Sequence, residues 1–156
     1  SKDRKQIASL CYNFFRLGWG ASTLVTSQDK FLLGTFLCDS NSSLLLAEFK
    51  SAWDEKINCD INKKLKIVKN IFDPNNIFPF QHFLSSEIDY EKFCVSFLKQ
   101  PKLFLRIRPG KEIVVFEKIK SANFSFQQLN NRCLAFSNNE KITEVINLDK
   151  EAVVQD

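Results

Sequence analysis

The sequence predicts an α+β fold in two parts: a helical bundle over residues 1–99 and a small α+β subdomain over residues 100–156. Two observations carry this. Apolar residues recur three and four apart from the N-terminus to about position 99, the period of helices with one buried side. After Pro101 the period drops to two, because Leu103, Leu105 and Ile107 alternate with Phe104, Arg106 and Arg108. A chain of 156 residues is long enough for one domain with a proper core or for two small ones.

The elements follow in order. From Asp3 to Leu17, Ile7, Leu10, Cys11, Phe14 and Phe15 form an apolar stripe, with Ser1 or Asp3 as cap. Gly18-Trp19-Gly20 stops that helix. A second helix starts near Thr26 or Ser27 and carries Phe31, Leu32, Phe36 and Leu37. A third follows Ser42-Ser43 with Leu45, Phe49, Ala52 and Trp53. Lys63 to Phe72 and Tyr90 to Leu98 are shorter helices, separated by "FDPNNIFPFQHF", whose prolines and asparagines break regular structure while its phenylalanines pack. Beyond the strand in "KLFLRIRPG", which Pro109-Gly110 ends, Val115, Phe116, Ile119 and Ala122 make a helical stripe. "FSFQQL" and "RCLAFS" read as strands joined by a tight turn at Asn130-Asn131, and "EAVVQD" as a further strand of the same sheet.

Composition narrows the function classes. There is no apolar run near membrane-spanning length and no signal-peptide pattern, so a membrane span and secretion are not expected. Five cysteines with no C-x-x-C spacing read as reduced thiols, with Cys11, Cys38 and Cys94 inside apolar helical patterns. That places the chain in a reducing, cytoplasmic compartment. His82 is the one histidine and has no ligand-spaced partners, which argues against zinc. The chain has no methionine, even at position 1, and ends in a strand-like run, so it is expected to be a segment of a longer polypeptide. "GWGAS" lacks the third glycine of a dinucleotide loop, and no G-x-S-x-G, Walker loop or H-E-x-x-H occurs. No catalytic residue is assigned.

A surface remains. The net charge of +4 permits a polyanionic partner. Phe104, Arg106 and Arg108 share one strand face, and an aromatic ring beside two guanidiniums suits stacking on unpaired bases and pairing with phosphates. The competing reading packs Phe104 under a neighbouring element and makes Arg106 a buried partner of Glu117 or Glu112. Lys63, Lys64, Lys66 and Lys69 read as a solvated helix face.

"SKDRKQIASLCYNFFR", "FLKQPKLFLRIRPGK" and "VVQD", in that order, resemble the N-terminal part of the Fmu/Sun (RsmB/Nop-type) RNA cytosine-C5 methyltransferases. The resemblance implies that the S-x-D-R helix belongs to a NusB-like helical region and that P-x-x-x-L-R opens an RRM-like subdomain. V-Q-D would then lead into a Rossmann-like catalytic domain that binds S-adenosylmethionine. It implies ribosomal RNA as partner, with neither membrane nor DNA. Together with the strand face, it gives an expected RNA-contacting set of Arg4, Phe104, Arg106, Arg108 and Lys111. Arg108 stands where the family carries asparagine. One of the family's two catalytic cysteines follows a proline, whereas Leu10, Leu37, Asn58, Phe93 and Arg132 precede the cysteines here, so cofactor loop and nucleophile are expected beyond Asp156. The alternative is a non-enzymatic helical module of antitermination-factor type that binds RNA and protein.

Overall fold

The computed structural model describes residues 2–23, 25–137 and 140–155, with Lys2 described by its backbone alone. Ser1, expected as a cap, and Asp156, the last residue of the "VVQD" strand, lie outside the described residues. The chain divides into two units, Ser1–Gln100 and Pro101–Asp156. Among the described residues the first is helical and the second holds a four-stranded antiparallel sheet with one α-helix, so the fold is mixed α+β.

Short polar residues set where the helices of the first unit begin. In α2 (Ser27–Cys38), Thr26 Oγ1 accepts a bond from Asp29 N at 3.1 Å and donates to Asp29 Oδ2 at 2.8 Å, satisfying an otherwise orphaned amide. Asp60 caps α5 (Ile61–Val68) by accepting from Asn62 N at 2.8 Å, which starts that helix earlier than the apolar pattern suggested. Asp89 does the same for α6 (Tyr90–Ser96), accepting from Lys92 N at 3.1 Å. The third expected helix is broken in two, α3 (Leu44–Phe49) and α4 (Ser51–Asp54), at Lys50, whose φ of −147° is not helical.

The first helix, α1 (Lys2–Arg16), departs from its sequence reading. Of the expected stripe, Ile7 and Phe15 are 60% and 74% exposed, Leu10, Cys11 and Phe14 are half-buried, and Asn13 is the residue it buries fully. The cause is a close helix crossing. A Cβ on Gly34 of α2 would lie 2.7 Å from the Asn13 carbonyl oxygen, so only glycine lets the two backbones approach there. The crossing therefore centres on Asn13 instead of on the apolar stripe. Asn13 is satisfied by donating to Asp39 Oδ2 at 3.0 Å and accepting from Gln100 Nε2 at 3.2 Å. Around this crossing lies an apolar core that includes Leu33, Phe36, Leu46, Ile57 and Cys94. Of the proline-containing loop, Phe72 and Ile77 are buried in it and Phe78 packs against it, whereas Phe80 and Phe83 are exposed, so the expected packing of its phenylalanines holds only in part.

In the second unit, β1 (Leu103–Ile107) is central, flanked by β3 (Cys133–Phe136) and β4 (Ala152–Gln155), with β2 (Phe126–Gln128) outside β3. All neighbours are antiparallel, so β1 and β2 run parallel with β3 inserted between them. The α7 helix (Glu112–Ser121) makes the crossover. Its Val115 and Ile119 pack on Leu105, Ile107, Leu134, Phe136 and Ala152, a buried cluster on one sheet face. Among the described residues between β3 and β4, a 3-10 turn at Ile142–Glu144 adds Ile142 to this core. The residues Ala152–Gln155 of "EAVVQD" thus pair with β1, in register Ala152 to Ile107 and Val154 to Leu105. Lys118 Nζ of α7 grips the entry to β4 through Glu151, at 2.7 and 2.9 Å.

Candidate nucleic-acid interface

Strand alternation decides which side chains of the second unit face away from α7. Direct cross-strand partners share a face, so Phe104 groups with Ala135 and Gln155, and Arg106 with Cys133 and Val153. On this outer face Phe104 is 36% exposed and Arg106 and Gln155 are exposed. Leu103, Leu105 and Ile107 turn the other way. Arg106 is therefore not a buried partner of Glu117 or Glu112. It lies on the sheet face opposite α7 and forms no ion pair among the described residues, and Glu112 is taken by Arg132, whose Nε lies 2.7 Å from Oε1.

Just past β1 the chain turns over Arg108-Pro109-Gly110-Lys111. Lys111 N donates to the Arg108 carbonyl at 3.1 Å and Gly110 has φ +77°. That is a type II turn, with proline preset at its second position and glycine at the third, where φ is positive. Arg108 N is held by the Glu151 carbonyl at 2.9 Å, while the Arg108 and Lys111 side chains are exposed. Phe104, Arg106, Arg108 and Lys111 thus lie within one strand and its turn. Arg4, the remaining member of the expected set, is an exposed residue at the start of α1 in the first unit.

The sheet end also holds a recess that the sequence reading missed. Arg106, Glu112, Asn131, Arg132, Cys133 and Gln155 line a volume of about 750 Å³. The β2–β3 turn is built by Asn130, whose Oδ1 accepts from Arg132 N at 2.9 Å and Cys133 N at 2.8 Å. The signal was present as "NNR": an asparagine that folds back on the following amides fixes the backbone of the arginine after it. Backbone N–H bonding at the start of α7, and then the Arg132 guanidinium, hold the Glu112 carboxyl below the usual glutamate range.

A second polar cluster lies in the first unit. Lys64 is 3% exposed, which overturns its reading as part of a solvated lysine face. Its Nζ donates to the Asp39 carbonyl oxygen and lies 5.4 Å from the Phe36 ring centre. Burial lowers the Lys64 pKa and raises that of Asp39. Burial likewise pushes the Cys38 thiol up to about 12, so it stays protonated and is a poor nucleophile. The geometry is that of a structural clasp between α2 and α5.

The S-adenosylmethionine implied by the family resemblance finds no cradle among the described residues. Gly110 alone separates a strand from a helix, and it sits in the tight turn that ends β1. One turn glycine does not make the glycine-rich strand-to-helix loop that such a cofactor takes. Among the described residues no three histidine, cysteine or carboxylate side chains converge on a metal position, and no helix is long and apolar enough to cross a membrane. No family model matches the chain, and neither curated proteins nor solved structures provide a match.

Proposed function

We propose that this chain is the RNA-recognition part of an S-adenosylmethionine-dependent ribosomal RNA cytosine-C5 methyltransferase, with a NusB-like first unit and an RRM-like second unit. The observation that carries the reading is the outer face of the second unit, where Phe104 and Arg106 stand exposed on a central strand and Arg108 and Lys111 extend the positive charge at its end. A ring beside guanidiniums on an open sheet face binds unpaired nucleotides by stacking and phosphate pairing. The strand order β2-β3-β1-β4, with α7 spanning a split β-α-β unit, supports the RRM-like assignment. Two differences shape the expected strength. A 3-10 turn occupies the position of a second helix, and β3 turns Cys133 and Ala135 outward where a second stacking ring would sit. One platform holds RNA weakly, so affinity rests on charge and falls as salt rises.

In this reading the cofactor and the catalytic cysteines belong to another part of the polypeptide. The test is titration of the chain with a short fluorescent single-stranded RNA at low salt, repeated as salt is raised. Binding that weakens linearly in log-log form supports the proposal; no binding at low salt overturns it. The second reading, a non-enzymatic module of antitermination-factor type, is favoured by one feature of the first unit. Ile7, Leu10, Phe31, Leu45 and Phe49 leave an apolar groove of about 320 Å³ open beside α1, a surface of the kind that protein partners cover. That reading predicts RNA binding unaffected by changes on the β1 face.

A further inference from the structure

The recess beside Arg106 goes further than the strand face. We propose that Arg132, together with Arg106 and Gln155, forms a subsite for one nucleotide of a single-stranded RNA, in which Arg132 meets two adjacent acceptor atoms. Those acceptors are either phosphate oxygens or the O6/N7 edge of a guanine. The inference rests on the RNA-binding reading of the β1 outer face: Arg132 follows the Ile107 register onto the α7 side, where it meets Glu112, and the recess joins it to Arg106 around the end of the sheet.

Arg132 is fixed at each level. Its backbone N is bonded to Asn130 Oδ1 at 2.9 Å, and its carbonyl accepts from Ile107 N at 2.7 Å. Its Nε is bonded to Glu112 at 2.7 Å, and Glu112 sits in the first turn of α7. Since Nε is occupied, the two Nη groups are the remaining donors, on a side chain that is 52% exposed. A planar fork fixed in this way loses little freedom on binding, the reason arginine serves bidentate recognition of phosphate and of guanine. The sum of charges is favourable too: Arg106 and Arg132 outweigh Glu112, so the recess stays net positive. Asn131 and Gln155 supply amides that donate or accept at a base edge.

The test uses the whole chain and two short single-stranded RNAs, one of uridine only and one carrying guanosines. Affinity and salt dependence are measured for the unmodified chain, R132A, R132K and the pair R106A/R108A, with melting temperatures alongside. If phosphate is the ligand, R132A weakens both RNAs alike and lowers the salt slope by about 0.7. If guanine is the ligand, the unmodified chain prefers the guanosine RNA roughly tenfold, and R132K, which keeps the charge but not the fork, loses that preference. Either outcome supports the subsite; should R132A unfold, R132Q, which removes the charge but keeps a polar side chain beside Glu112, takes its place in the phosphate arm, and R132K serves the guanine arm alone. R132A and R132K that bind both RNAs like the unmodified chain, while R106A/R108A binds weakly, overturn the subsite and leave the face reading intact. An unmodified chain that binds neither RNA at low salt overturns both.

Discussion

Replacing Arg106 and Arg108 together by alanine separates recognition from folding. Arg106 lies on the face opposite Leu105 and Ile107, and Arg108 is exposed in the turn after β1, so the core of the second unit is untouched. Exposed substitutions of this kind change stability by about 0.5 kcal/mol or less. If each guanidinium neutralises one phosphate of a single strand, the slope of log affinity against log salt falls by about 0.7 per contact, or about 1.4 for the pair. Over a fourfold rise in salt that slope corresponds to roughly a sevenfold difference, so the double variant should be several times less salt-sensitive than the unmodified chain. Fluorescence anisotropy at a series of salt concentrations reads the slope, and thermal unfolding reads the fold. A large drop in melting temperature with an unchanged slope refutes the reasoning, because it would make the arginines structural.

Three further outcomes test the fold. Gly34→Ala sets a helix-propensity gain of about 1 kcal/mol against a methyl forced onto the Asn13 backbone, an overpacking cost of about 1–3 kcal/mol or more. A net loss in urea unfolding is expected, and a gain would refute the crossing described for α1 and α2. Leu105→Ala empties a fully buried position in the central strand and should cost about 2–5 kcal/mol; a cost below about 1 kcal/mol would place Leu105 outside the core. For Asp39, burial raises the folded pKa above the unfolded one, so the folded state holds its proton more tightly. Its contribution is full below the ordinary aspartate range and is lost as pH rises through the folded pKa. The stability of the unmodified chain minus that of Asp39→Asn should therefore fall with rising pH across that window, and a rise would contradict the burial.

Local chemistry made much of this fold legible. The cap at Thr26, the proline and glycine after Arg108, and the alternation through Leu103–Ile107 each act over a few residues and were read in order, whereas the Asp60 and Asp89 caps, equally local, were passed over because the apolar pattern alone set those helix starts. What could not be read depended on partners distant in sequence. The α1 stripe gave no sign that Gly34 would draw the helix crossing to Asn13. Lys64 looks like its neighbours Lys63 and Lys66 until the Asp39 carbonyl, from an element before it in the chain, takes its ammonium. The candidate face divides in the same way. Phe104 and Arg106 were visible in the period of a single strand. Arg132 and Glu112 became a pair only when the β2–β3 turn and α7 met at one end of the sheet.

The most direct test of RNA recognition by the second unit is residue-resolved. A ¹⁵N-labelled chain is titrated with a single-stranded RNA at low salt, and amide and arginine side-chain resonances are followed. The account predicts that shifts concentrate on Phe104, Arg106, Arg108 and Lys111, with Arg132 among them, while Leu105 and Ile107 move little. Shifts confined to the helical unit, or spread evenly over the lysines of the chain, would contradict it.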